Sequence, residues 1–194
     1  MTTGSFSETD GSFEFGQREP LAVRIRGLIR EYPRDLGLLK EFIQNADDAG
    51  ATAVRMTLDL RTWENSAGGS RFLNAAFGPA LVVHNDRSFR EEDFEHIQRL
   101  GDSGKLVEPG KIGRFGRGFN TVYNVTDLPL ILSADWLAAC DPHQRVFGRD
   151  KTGQAWRLTH ARTSPLKDLL VPFQDHGFDG ASPYSHTLFR LPLR

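Results

Sequence analysis

The sequence predicts an α/β (α+β) two-layer sandwich in which helices cover one face of a mixed sheet. Three observations carry that expectation. Two segments near the start repeat apolar residues at helical spacing. Several later segments alternate apolar and polar residues, or run apolar, over strand lengths. The two kinds follow each other without a regular strand–helix–strand alternation, which argues against a doubly wound parallel sheet.

Residues 1–15 are rich in Ser, Thr, Gly and acids and read as a loosely attached tail ahead of one domain, 16–194. From Leu21 to Tyr32, the apolar Leu21, Ile25, Leu28 and Ile29 recur among arginines, as on an amphipathic helix, and Pro33 ends the pattern. A second helix is expected from about Asp35 to Ala49, with Leu38, Leu39, Phe42, Ile43 and Ala46 as its apolar set and Gly50 as its stop. Val54 to Leu60 alternates as a half-buried strand does. Residues 64–79 read as loop, and Ala80 to Val83 as a short buried strand. Glu91 to Leu100 has helical spacing, with Phe94, Ile97 and Leu100 inward. A polar, glycine-bounded loop over 101–110 leads to a glycine-rich turn at Gly113 to Gly118 and a short helix from Phe119 to Asn124. Strands are expected at Pro129–Ser133, Arg145–Gly148 and Ala155–Thr159, with a helical turn or two at Pro165–Leu170. Thr187 to Leu193 reads as a core strand, which suggests a piece of a longer protein.

Bulk composition excludes more than it identifies. The 194 residues suffice for one core. A formal net charge of -1 favours neither nucleic acid nor an anionic membrane as a partner. The single cysteine, Cys140, excludes an internal disulfide and points to a reducing, intracellular setting such as the cytoplasm. No apolar stretch reaches membrane-spanning length, and the first residues lack the pattern of a signal peptide. The histidines show no metal-ligand spacing, and Trp63, Trp136 and Trp156 read as packing residues.

Two constellations point to chemistry. Glu41, Asn45 and Asp48 stand at i, i+4 and i+7 of the second helix and share one stripe. A carboxamide oxygen suits Mg²⁺, which prefers few protein ligands together with phosphates and waters, and a neighbouring carboxylate can accept a proton from water. A solvated polar face explains the same spacing. The second constellation is Lys111-Ile112-Gly113-Arg114-Phe115-Gly116-Arg117-Gly118-Phe119-Asn120. Its glycines allow close approach to an anion, and it opens into a helix whose first N–H groups suit phosphate. A tight turn packed on another backbone is the plainer explanation. It lacks the Gly-Lys-Ser/Thr of a Walker loop and the strand that precedes a Rossmann turn.

Together the two runs resemble a known superfamily. Leu39 to Ala49 resembles the N-box of the GHKL ATPases, and Gly113 to Phe119 resembles the phosphate-clamping glycine box of the heat-shock-90 chaperones. Ser185 to Leu191 resembles the late strand whose threonine helps hold adenine. Phe15-Gly16-Gln17, Gln44 to Thr52, Gly118-Phe119-Asn120 and Asp141-Pro142-His143 are most similar to the sacsin-like members.

The resemblance implies a Bergerat fold with a mostly antiparallel sheet. It also implies an ATP-binding, weakly hydrolysing, Mg²⁺-dependent module of a chaperone-like protein, with downstream domains and client proteins as partners. Glu41 would be the general base, Asn45 the Mg²⁺ ligand, and Asp48 a nucleoside-side residue. Gly113, Phe115, Gly116, Gly118 and Phe119 would wrap the phosphates, Ser103 and Lys105 would lie in a mobile lid over 101–112, and Thr187 would support adenine. The superfamily's Asp-x-Gly-x-Gly is replaced by His84-Asn85-Asp86-Arg87-Ser88. Strict register puts His84 at the aspartate position, while Asn85 and Asp86 are the better acceptors for an adenine amino group. That departure motivates the alternative of a scaffold module with little or no nucleotide affinity. A histidine-kinase or topoisomerase relative fits less well, because no phospho-acceptor histidine helix precedes the N-box.

Overall fold

The fold follows from a computed structural model that describes residues 19–30, 37–64, 71–98, 118–163 and 165–194. Six strands form one sheet in the order β1-β2-β6-β3-β4-β5: β1 (Val54–Asp59), β2 (Ala80–Asn85), β3 (Leu130–Ala134), β4 (Trp136–Cys140), β5 (Gly153–Arg157) and β6 (Tyr184–Pro192). Every pairing among them is antiparallel. The last strand, β6, lies in the middle, between β2 and β3, and is buried from Thr187 to Pro192.

The expected helical layer covers one face. It comprises α1 (Leu21–Arg30), α2 (Gly37–Asp48), α4 (Glu91–Gln98) and a 3-10 segment, Phe119–Asn124. Ile25, Leu38, Phe42, Phe119 and Val122 pack there on Val83, Ile131, Phe189 and Leu191 of the sheet. The reverse face is covered too, by short segments: α3 (Arg71–Ala76), α5 (Leu158–Thr163), a 3-10 segment Pro165–Leu170 and α6 (Val171–Gln174). Ala76, Ala161, Leu169 and Phe173 pack there on Val82, Leu130, Leu132, Leu137 and Leu188. Alternation along each strand therefore feeds two cores, one per face.

Local signals account for the helix ends. Gly50, at φ +74, stops α2, and the N–H of Ala51 reaches back to the Ala46 carbonyl at 2.9 Å. At the start of α4, Asp93 Oδ2 accepts from the Arg90 N–H at 2.8 Å, half of a capping box, and Glu91 and Glu92 sit where the helix dipole favours acids. No helix among the described residues is long and apolar enough to cross a membrane.

Four sequence expectations need correction. The loop expected over 64–79 contains α3. Strand β4 was not expected at all, because Trp136-Leu137-Ala138-Ala139-Cys140 shows no alternation. Its hairpin also turns at Ala134, whose φ is 49, without the Gly or Asn that usually supplies a positive φ. Arg145–Gly148 is not a strand but a loop held by the buried Asp141. Its carboxylate accepts from the N–H groups of Arg145, Val146 and Phe147 at 3.1, 2.6 and 3.0 Å. Finally, the strand expected at Ala155–Thr159 ends at Arg157, and Leu158 already opens α5.

Candidate functional site

Helix α2 buries Leu38, Phe42 and Ala46, and the Phe42 ring lies 4.9 Å from that of Phe189. Ile43, expected inward, is 54% exposed. Successive helical residues point about 100° apart, so seating Phe42 squarely on the sheet turns Ile43 out to the flank. Glu41, Asn45 and Asp48 are all half-buried along one side of the helix. Asp48 Oδ2 is buried without a hydrogen-bond partner.

Glu41 meets the residue that ends the glycine-rich run. A β-carbon placed on Gly118 would lie 1.8 Å from Glu41 Oε2 and 2.6 Å from its Cδ. Gly118 has φ -65 and ψ -45, values any residue adopts, so what a side chain here would meet is the Glu41 carboxylate and not a conformational barrier. Its carbonyl accepts from Thr121 Oγ1 at 2.6 Å and from the Thr121 N–H at 3.0 Å, which starts the 3-10 segment. Burial raises the pKa of the Glu41 carboxyl, and nearby Lys40 offsets part of that.

Beside this contact lies a depression with an aromatic floor of Phe42, Phe89, Phe119 and Phe189. Asn45, Asn85, Arg87 and Asp93 supply its polar groups. The turn after β2 forms one wall and is held from below by hydroxyls. Thr187 Oγ1 donates to the Arg87 carbonyl at 2.7 Å, and Ser133 Oγ accepts from the Phe89 N–H at 2.8 Å. The two hydroxyls lie 2.8 Å apart on neighbouring strands. Ser133 was missed in the sequence, where a serine after Leu130-Ile131-Leu132 was the one available signal.

The adenine-side candidates are placed differently from one another. Asn85 lines the depression, and its Oδ1 accepts from the Arg87 N–H at 3.0 Å. Asp86 turns toward the loop between α2 and β1, where its Oδ1 accepts from the Thr52 and Ala53 N–H groups at 2.8 and 3.1 Å. Its Oδ2 accepts from the Thr52 hydroxyl. Those bonds, the Thr52 hydroxyl first, hold its pKa down at about 2. His84 sits on the opposite face of the sheet, with its Nε2 3.0 Å from His186 Nδ1. The structure thus brings Asn45, Asn85 and Phe119 into one depression, with Glu41 and Gly118 alongside. Ser103, Lys105, Gly113, Phe115 and Gly116 lie outside the described residues, as does the expected lid over 101–112. Among the described residues, no group of three or more His, Cys, Asp or Glu side chains is arranged to hold a metal ion.

The Sacsin domain family model matches residues 18–194. Human sacsin is 40% identical over 194 aligned positions, which take in 95% of this chain and 4% of the human protein. The chain belongs to the Sacsin domain family. It spans about 4% of the length of the curated relative it matches.

Proposed function

We propose that this domain is a Bergerat-type, Mg²⁺-dependent ATP-binding module with slow hydrolysis, serving a larger chaperone-like protein. The observation that supports it best is the contact between Glu41 and Gly118. The resemblance assigns one to water activation and the other to the phosphate loop, and they meet across the fold.

In this reading Glu41 takes the proton of the attacking water, and its raised pKa suits a general base better than that of a free carboxylate. Gly118 and Phe119 continue the phosphate wrap begun by Gly113, Phe115 and Gly116, with Ser103 and Lys105 joining from the lid. Asn85 and Thr187 face the adenine end, and Asp86 supports that end from behind through Thr52. Mg²⁺ would screen the phosphate charge, held by the Asn45 carboxamide with phosphates and waters completing its shell. A site of that kind needs no protein-only ligand cluster. The unpartnered Asp48 Oδ2 is a fitting acceptor for an ordered water at the nucleoside end.

Isothermal titration with Mg-ATP tests the proposal. Saturable binding is expected, and Glu41→Ala should keep that binding while losing turnover. Equal loss of both would remove Glu41 from the chemistry.

One observation favours a second reading, a scaffold module that keeps the fold without the nucleotide. Both Asp86 oxygens, Asn85 Oδ1 and the Thr187 hydroxyl already serve internal hydrogen bonds. Absence of any heat with ATP or ADP at millimolar concentration would establish that reading against the first.

A further inference from the structure

Four polar side chains line the aromatic-floored depression: Asn45, Asn85, Arg87 and Asp93. An adenine amino group held there needs an acceptor from among them. Arg87 has donors only, and its Nε already donates to the Gly50 carbonyl at 2.8 Å. Asn85 Oδ1 accepts from the Arg87 N–H at 3.0 Å. A backbone N–H pairs with the amide oxygen and not with the amide nitrogen, so Asn85 is left offering a base its NH2 group, which donates. Both Asp86 oxygens are turned away to Thr52 and Ala53. Asn45 stands one turn after Glu41 on α2, at the end that the function proposed above gives to Mg²⁺ and phosphate.

Asp93 differs from all of these. It lies in the first turn of α4, and Ile97, four residues on and therefore on the same face, lines the depression with it. The Phe94 ring meets that of Phe89 edge to face, with centroids 5.1 Å apart, which seats α4 beside the turn after β2. Asp93 Oδ2 is taken by the Arg90 N–H at 2.8 Å. Its Oδ1 has no hydrogen-bond or ion-pair partner among the described residues. An ionised carboxylate only accepts, so this oxygen is the acceptor that the other three side chains do not supply. We propose that Asp93 reads the base: its Oδ1 accepts a hydrogen bond from the amino group of adenine, whose ring rests on the phenyl floor. This role rests on the nucleotide-binding function proposed above. The acceptor that the resemblance expects at the end of β2 thus comes from α4.

Isothermal titration of the 194-residue chain with the Mg²⁺ complexes of ATP and of purine riboside triphosphate, which lacks only the amino group, reads this contact directly. ATP should bind about ten- to a hundred-fold more tightly, the usual worth of a hydrogen bond to a charged acceptor. Asp93→Asn should leave thermal unfolding unchanged, because the asparagine oxygen can still take the Arg90 N–H. In that variant the amide nitrogen faces the base, so ATP should fall to the affinity of purine riboside triphosphate and the gap between the two should close. Equal affinity for the two ligands in the parent chain, or a gap that persists in Asp93→Asn, overturns the role of Asp93 and leaves nucleotide binding standing. A variant that loses stability and affinity together while the gap persists confines Asp93 to capping α4. No heat with either triphosphate removes the nucleotide reading, and the role of Asp93 with it.

Discussion

Glu41 and Gly118 lie in close contact: a β-carbon at 118 would sit 1.8 Å from Glu41 Oε2, the far end of a side chain that must swing aside to admit it. Gly118→Ala should therefore displace the Glu41 carboxylate and cost about 1 kcal/mol or less, because the clash falls on a flexible side-chain end and not on backbone. The backbone conformation itself is no obstacle to alanine. In a Glu41→Ala background the same substitution should cost much less, because the clashing carboxylate is gone. Urea unfolding of the four proteins measures this coupling. An equal cost in both backgrounds would show that something other than Glu41 requires the glycine.

On the function proposed above, the acid limb of ATP turnover should report the Glu41 carboxyl. A general base acts only when unprotonated, and burial raises this carboxyl above its ordinary value. Turnover should therefore fall, as pH drops, at a higher pH than a free carboxylate would give. Lys40 pulls the value down, so Lys40→Ala should move the acid limb upward. A pH–rate profile unmoved by Lys40→Ala would separate the limb from Glu41.

On the reverse face, Arg190 is 1% exposed and is held by three acceptors. Its Nη2 donates to the Gly78 carbonyl at 2.7 Å, its Nε to the Ala76 carbonyl at 3.3 Å, and its Nη1 to Asp59 Oδ2 at 3.5 Å. Arg190→Ala should cost about 2–5 kcal/mol, because it leaves two carbonyls without their donor and a cavity in a fully buried site, while Asp59 keeps its bonds from Arg61. Hydrogen bonds from Arg61, above all from its side chain, hold the Asp59 carboxyl down at about 2, below its ordinary 3.8. Its folded-state value is depressed, so its contribution to stability is full above the ordinary value. That contribution is lost as pH falls toward about 2. The stability gap between the parent and Asp59→Asn, followed by chemical denaturation, should close over that window.

His84 and His186 share one N–H···N bond that needs at least one neutral ring. Burial lowers the His84 pKa, and His186 and Arg55 add to the effect, while Asp86 opposes it. The folded value lies below the ordinary 6.5, so the unfolded chain takes the proton first. The stability that His84 contributes should be complete above 6.5 and decline as pH falls below it. His84→Gln should flatten the melting temperature over that interval. His84 adjoins Asn85 and His186 adjoins Thr187, so acid should also loosen the turn at Arg87, visible as faster amide exchange at Phe89.

Much of this molecule is legible along the chain. The period of Leu38, Phe42 and Ala46 gives α2, and Glu41, Asn45 and Asp48 fall on the stripe that adjoins it. Alternation gives β1, and the apolar run to Leu193 gives the central strand β6. Those features are local, and spacing alone carries them. Nothing local signals β4, because its hairpin places a positive φ on Ala134 and not on a glycine. Nor does anything local reveal that Asp141-Pro142-His143 serves to close a loop, since Asp141 acts through backbone N–H groups further on.

The site divides along the same line. Sequence determined which residues had the right chemistry: a carboxylate and a carboxamide on one helix, glycines before Phe119, and acceptors at Asn85 and Asp86. Only the tertiary structure decided which of them meet. Pleating sends His84 through to the reverse face and leaves Asn85 at the depression, because neighbouring strand residues must point to opposite sides. Asp86 goes to Thr52 and Ala53 because the antiparallel pairing of β1 with β2 sets their N–H groups beside it. Glu41 and Gly118 are joined by the packing of α2 against the Phe119–Asn124 segment, a contact between residues far apart in the chain that no local pattern encodes.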